Sequence, residues 1–314
     1  MATACLQGSV AAFERLEHDY IHQDYELPPG KKRPTAAHVS ERFGQNLQAF
    51  YGGRVQEVLA HPRYRLHIVT SRGRHVLGRE HALGTPLGYL GAFVTNTVHR
   101  KAMGAWLERV VFSTPGSVLP FGTQDYRTRQ VPLSLANFNP ALQASCSIPF
   151  VLQAVHNIPG APRGAYWDGG ITDYHLHLNY PAVGQGAMDL RATSAYSTRA
   201  RGLNDPVNTA GGGLVLYPHF QKAVVPGWLD KSLKWRHHPS PYLDSVVVLA
   251  PDPAWVALLP QQKLPDRHDF LHYGSDHEGR AKAWNTAVRA SQQLAEEFVE
   301  IAALLITSVL ILQR

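Results

Sequence analysis

Short apolar strands separated by stretches of helical periodicity constrain this chain more than any other feature of its sequence. "DSVVVLAPD" holds an unbroken apolar run from Val246 to Leu249, and "GGGLVLYPHF" supplies a second one after a glycine-rich loop. Strands that are apolar at every position belong in a sheet covered on both faces. In "YRLHIVTS" (64–71), Leu66, Ile68 and Thr70 alternate with Arg65, His67 and Val69, the period of a half-buried strand. Further strands are expected from Val110 to Phe112 and through "GAYWDGG" (164–170). Between them lie helical patterns from about Ala36 to Phe50 and from His277 to about Leu312. "NPALQASCSIP" is a short helix with Asn139 as N-cap, Pro140 at the first helical position and Pro149 as its stop. This alternation predicts an α/β fold with three α/β/α layers.

The two ends of the chain behave differently. "MATACLQGSVAAFERLEHDYIHQ" places Met1, Cys5, Phe13, Leu16 and Tyr20 at helical intervals, with Gly8 weakening the middle. That helix has no N-cap and no strand before it. From Ile301 to Leu312 only Thr307 and Ser308 interrupt an apolar tail. About a dozen residues falls short of the roughly 20 that span a bilayer, which leaves a buried helix or an interfacial lipid contact. Residues 1–300 therefore read as one domain and 301–314 as a separate apolar tail.

Composition removes several function classes. Charged residues are only 17% against 44% hydrophobic, which excludes a disordered or coiled-coil chain. The net charge of +6 is thinly spread, and its one tight run is Lys31-Lys32-Arg33. Nucleic-acid binding needs basic residues clustered on one element, so that partner is not expected, whereas anionic lipid headgroups suit a mildly basic surface. Cys5 and Cys146 give neither a disulfide framework nor zinc spacing. Without a secretory apolar segment at the start, the expected location is the cytoplasm, with peripheral membrane contact. P-loop, dinucleotide, HExxH and CxxC motifs are absent, so no cofactor is expected.

Reactive groups are unevenly supplied. A hydrolytic serine is usually announced by G-x-S-x-G, whose glycines allow a strained strand-to-helix turn. Ser9, Ser117, Ser145, Ser147 and Ser275 all lack that glycine pair. The acid side is better provided. Asp168 follows Tyr166 and Trp167 and precedes Gly169 and Gly170. A glycine turning at positive φ leaves the carboxylate at the carboxyl end of its strand, where ligands gather in open α/β sheets. Two other readings stay open: a plain Asp-Gly turn, and a metal site. On a strand, Asp173, His175 and His177 share one face and form a two-His-one-carboxylate set.

"LQASCSIPFVLQAV" followed by "GAYWDGGITDYHLHL" resembles the carboxyl half of patatin-like phospholipases. The match rests on Ala144, Ser145 and Pro149, then Asp168, Gly169 and Gly170. "YRLHIVTS" and "VVFSTPG" fit the strand order before it. The resemblance covers about residues 1 to 300, with its specific motifs between 144 and 178. It implies a patatin-like fold and a lipid acyl hydrolase that works through a Ser-Asp dyad, with lipid or acyl esters as substrate. By the motif Asp168 carries over as the general base, with Gly169 and Gly170 as support, and His175 and His177 receive no role. The family's Gly-rich oxyanion loop and G-x-S-x-G elbow lie upstream of the acid, and this sequence has neither. The expectation is a patatin-like fold that lacks its N-terminal strand, oxyanion loop and nucleophile elbow, and a chain that is inactive alone. A non-catalytic lipid- or protein-binding module and a metal-dependent hydrolase are the alternatives.

Overall fold

Among the described residues five strands share one sheet: β1 (His67–Gly73), β2 (Leu107–Ser113), β3 (Thr128–Pro132), β4 (Val155–His156) and β5 (Ala165–Asp168). The structure, a computed structural model, describes residues 1–24, 35–181 and 213–312. The basic run Lys31-Lys32-Arg33 lies outside the described residues, as do Gly211 and Gly212. The strand order is β3-β2-β1-β5-β4. β1 is antiparallel to β2 and β5, β4 is antiparallel to β5, and β2 runs parallel to β3. The architecture is thus α/β with a mixed sheet. Every residue of β2 is buried, as a strand covered on both faces requires.

Register determines which side chains meet. Thr70 lies opposite Asp168 on one side and Val110 on the other, while Ser71 lies opposite Trp167 and Arg109. Because side chains alternate along a strand, Ser71, Arg109 and Trp167 share one face, and Thr70, Val110 and Asp168 share the other.

Among the described residues before 174 the α-helices are α1 (Ser9–Ile21), α2 (Ala36–Tyr51), α3 (Val55–Leu59), α4 (Gly84–Val98), α5 (Phe138–Ser145) and α6 (Gly170–Asp173). The Trp167 face carries α6, whose Thr172 hydroxyl lies 3.0 Å from that of Ser71. Tyr89 and Ala92 of α4 join Leu107, Met103, Tyr126, Trp167 and Ile171 there in one buried cluster. Each large side chain fully buried in this way contributes about 1.5–3 kcal/mol. On the other face Phe112 meets Tyr166 at 6.1 Å between ring centroids. There α5 packs against β1 and β5 and is backed by α2, with Phe138 edge-on to Tyr51.

Two sequence expectations need correction in this region. α5 begins at Phe138 rather than Pro140, because Asn137 occupies the cap position and its side chain ties Ser134, Pro132 and Pro159 together. It ends at Ser145, before Pro149, as the chain tightens into successive turns at Cys146 and Ser147. The N-terminal stretch is not one helix. Gly8 at φ +69 breaks it into a short 3-10 turn (Thr3–Cys5) and α1. Phe13, Leu16 and Tyr20 are exposed, and Ala12 and Ile21 carry the buried side instead.

The chain divides into two compact units with interleaved segments: Met1–Ser9, Tyr25–Val215 and Ala223–Val246 in the first, Val10–Asp24, Leu216–Lys222 and Val247–Arg314 in the second. The sheet described above belongs to the first. The second contains α1, β6 (Val215–Pro218), β7 (Val246–Leu249), α7 (Pro253–Val256), α8 (Asp269–Tyr273) and α9 (His277–Leu312). Its core joins Ile21, Ala281 and Trp284 to Phe270, and the Trp284 indole donates to Asp269 at 2.8 Å. β6 and β7 pair only with each other among the described strands. A two-stranded ribbon cannot cover both its faces, so Val246–Leu249, expected in a sheet covered on both faces, is half-exposed, with Val247 at 41%. The apolar tail continues α9 to Leu312, and its side chains beyond Ala303 lie outside the described ones. Among the described residues no helix is long and apolar enough to cross a membrane.

Candidate functional site

β5 ends at Asp168, and the chain turns at once into α6. The Asp168 N–H donates to the Ser147 carbonyl at 2.9 Å, which brings the two sequence motifs, 144–149 and 168–170, into direct contact. The carboxylate Oδ1 accepts from the Gly170 N–H at 2.6 Å. Among the described residues that is the one hydrogen bond to this carboxylate. Burial pushes its pKa above the usual value of 3.8, and the Gly170 bond only partly opposes the rise.

The expected positive φ after the acid is not found. Gly169 is helical at φ −61 and ψ −26. Its glycine is required by proximity instead: a Cβ there would lie 2.3 Å from the Val69 carbonyl oxygen of the neighbouring strand. Strain sits on either side. Phe150, just after Pro149, has φ +67 and Leu176 has φ +47, conformations that cost a non-glycine residue about 1–3 kcal/mol each.

Among the described residues no hydroxyl or thiol hydrogen-bonds the Asp168 carboxylate. The Ser147 hydroxyl donates to the Gln143 carbonyl at 2.9 Å, and the Thr70 hydroxyl to that of Val110 at 2.9 Å. Cys146 is an exposed residue, yet surrounding protein atoms push its thiol up to about 11, with the Asp168 charge adding to the effect. A thiol held that high is largely protonated at neutral pH and a poor nucleophile.

The geometry proposed for a metal site does not form. Residues 173–177 are not a strand: Asp173 closes α6, and the left-handed turn at Leu176 ends any alternation. Asp173 accepts from Arg109 Nε at 2.7 Å and Nη2 at 2.6 Å, from Arg100 Nη2 at 3.1 Å and from the Thr172 hydroxyl at 2.9 Å. His175 Nδ1 accepts from the Val225 N–H at 2.9 Å, and His177 Nε2 lies 2.9 Å from the Ser240 hydroxyl. The three side chains are thus engaged in three separate directions. Among the described residues no group of three or more His, Cys, Asp or Glu side chains is placed to hold a metal ion.

What the sequence did not announce is the ionic network behind this segment. Arg109 of β2 is fully buried between Asp173 and Asp125, with a further bond to the Thr128 hydroxyl. Arg100 bridges Asp173 to Asp230, which also accepts from Asn96 at 2.7 Å and Arg236 at 3.0 Å. The available signal was Arg109 inside the apolar stretch "LERVVFS": a guanidinium buried in a two-sided strand must find carboxylates.

Compared with known proteins, the chain matches no family model, no curated protein and no solved structure.

Proposed function

We propose that this chain is a homologue of the patatin-like lipid acyl hydrolases in which Asp168 stands as the acid of a Ser-Asp dyad without its serine. The observation that carries the reading is the Asp168 carboxylate itself. It ends a strand, touches the 144–149 motif through its own N–H, is partly buried, and has a raised pKa with no cationic partner among the described residues. A carboxylate of raised basicity at a strand end suits general-base work, accepting a hydroxyl proton as that oxygen attacks an ester carbonyl. Asp173, by contrast, is already committed to two guanidinium groups. The substrate class is lipid or acyl ester, met at a membrane surface, and no cofactor takes part. The fold in this reading is a three-layer patatin-like one.

The sequence carries no G-x-S-x-G, so the covalent route has no starting atom in this polypeptide. Loss of oxyanion donors alone costs about 3–4 kcal/mol of transition-state stabilisation. The purified chain is therefore expected to show no turnover of p-nitrophenyl esters. Turnover that disappears in Asp168→Ala would overturn inertness. Fusing an N-terminal segment with a glycine-rich loop and a G-x-S-x-G elbow is expected to give esterase activity that Asp168→Ala abolishes. A folded fusion with no such activity would remove the family assignment.

A further inference from the structure

At the end of β5 remote from Asp168, the first unit holds a cleft of about 730 Å3. Gly164, on its wall, precedes Asp168 by four residues, or about 13 Å along an extended strand. Four arginines, Arg72, Arg74, Arg79 and Arg163, are among the residues that line the cleft, against a single lining acidic residue, Glu80. His75, His81 and His156 add ring nitrogens.

The arginines divide into two sets. Arg72 is clamped by Glu108 at 2.7 Å and donates to the Arg163 carbonyl at 2.8 Å, while Arg74 donates to the Gly104 carbonyl at 2.7 Å. These two are fixed parts of the wall. Arg79 and Arg163 are exposed, and neither has a carboxylate partner among the described residues. Glu80 is itself turned aside, accepting from the Ala154 N–H at 3.1 Å.

The backbone gives a second, independent observation. His75 at φ +51 and Asn157 at φ +54 both line the cleft in the left-handed region. Asn157 closes the wall reciprocally: its N–H donates to the Gly164 carbonyl at 3.0 Å, and its side-chain oxygen accepts the Gly164 N–H at 3.1 Å. Residues in strained backbone regions, here with Asn157 fixed by mutual bonds, cluster at ligand clamps.

We infer that this cleft binds the phosphate group of a small phosphate ester, with Arg79 and Arg163 as the mobile arms that close on it. Planar guanidinium forks match phosphate oxygens in bidentate pairs, and a cleft that offers two exposed arginines beside two fixed ones favours a dianion over a single carboxylate. The volume suits a small molecule or a headgroup. The positive charge is concentrated in one concave site rather than laid along an element, which separates this site from a nucleic-acid footprint. The inference goes beyond the ester chemistry proposed for Asp168 and does not depend on it.

Calorimetric titration of the full chain with inorganic phosphate and with glycerol 3-phosphate tests the site. Flotation with phosphatidylcholine vesicles, with and without phosphatidic acid, tests the lipid source of the same group. Saturable binding is expected, weakened by salt, and lowered about tenfold or more in Arg79→Gln combined with Arg163→Gln. The pair Arg42→Gln and Arg63→Gln removes equal charge elsewhere and is expected to leave affinity unchanged. Vesicle binding that glycerol 3-phosphate displaces identifies a lipid headgroup, and binding of the soluble ester alone identifies a free one. Both outcomes support the site. Absence of saturable binding to any probe, or equal loss in both double variants, overturns it.

Discussion

Asp168 and Asp173 sit five residues apart on one strand-turn-helix segment, and the fold treats their charges in opposite ways. Asp168 points to the α5 face, accepts one backbone N–H and has its pKa raised by burial. Asp173 is more deeply buried, so desolvation opposes its charge too, but Arg109 and then Arg100 outweigh that and hold its pKa below the ordinary value. Burial alone therefore does not set the direction of a shift. The presence of a guanidinium decides it. The segment separates a carboxylate that anchors the fold from one whose charge is left uncompensated, and uncompensated charge is the property expected of a proton acceptor.

The largest expected effect comes from breaking the compensated side. Asp173→Asn leaves Arg109 and Arg100 short of a carboxylate in a buried setting, which costs about 3–5 kcal/mol. Urea unfolding of the variant measures this directly. A loss below about 1 kcal/mol, the worth of an exposed pair, would erase the contrast between the two aspartates. The pH dependence has a definite sign. Because the folded pKa of Asp173 lies below its unfolded value near 3.8, its contribution is complete above that value. It is then lost as pH falls toward the folded pKa, so the parent should lose stability in acid more steeply than Asp173→Asn.

The two glycines between the aspartates sharpen the comparison at the level of the backbone. An added Cβ at Gly169 meets the Val69 carbonyl oxygen at 2.3 Å, and backbone in the middle of a sheet cannot step aside. Gly169→Ala is expected to cost roughly 1–3 kcal/mol, the range for forced overpacking, read as a lower midpoint of thermal unfolding. At Gly170 the nearest atom is Asp168 Oδ1 at 2.8 Å, a side-chain atom with some freedom to shift. Gly170→Ala should therefore cost less and act on the Asp168 carboxylate rather than on the sheet. The reverse order of destabilisation would show that close approach to β1 is not what requires Gly169.

These residues also show what was legible in the sequence. The strands around 67–73, 107–113 and 165–168 and the helices at 36–51 and 277–312 follow from their hydrophobic patterns, alternation or an apolar run for the strands and helical spacing for the helices. Asp168 at a strand end was readable for the same reason: Tyr166 and Trp167 fix the strand, and the glycines fix its stop. Periodicity failed where a single backbone angle or a distant partner decides. Leu176 in the left-handed region undid the face supposed to join Asp173, His175 and His177. Val246–Leu249 has the composition of a strand covered on both faces, yet its only partner strand among those described is β6. The network linking Arg100, Arg109, Asp125, Asp173 and Asp230 joins segments more than a hundred residues apart, and no local pattern encodes such pairings.

The smallest effect is the one that bears most on function, and its sign runs against the usual cost of mutation. Asp168 has a folded pKa above its unfolded value of about 3.8, so folding favours the protonated acid. Its stabilising contribution is complete below that unfolded value and is lost as pH rises through the folded pKa. Asp168→Asn cannot ionise and still offers an oxygen to the Gly170 N–H. The variant should therefore be more stable than the parent at neutral pH, by about 0.5–2 kcal/mol, as is common when a functional group is neutralised. The difference should vanish in acid, where Asp168 is protonated in both folded and unfolded chains. Parallel urea titrations at neutral and acidic pH measure both statements. A neutral-pH loss of stability would make Asp168 a turn residue that the fold needs charged, and the case for it as a general base would lose its electrostatic support.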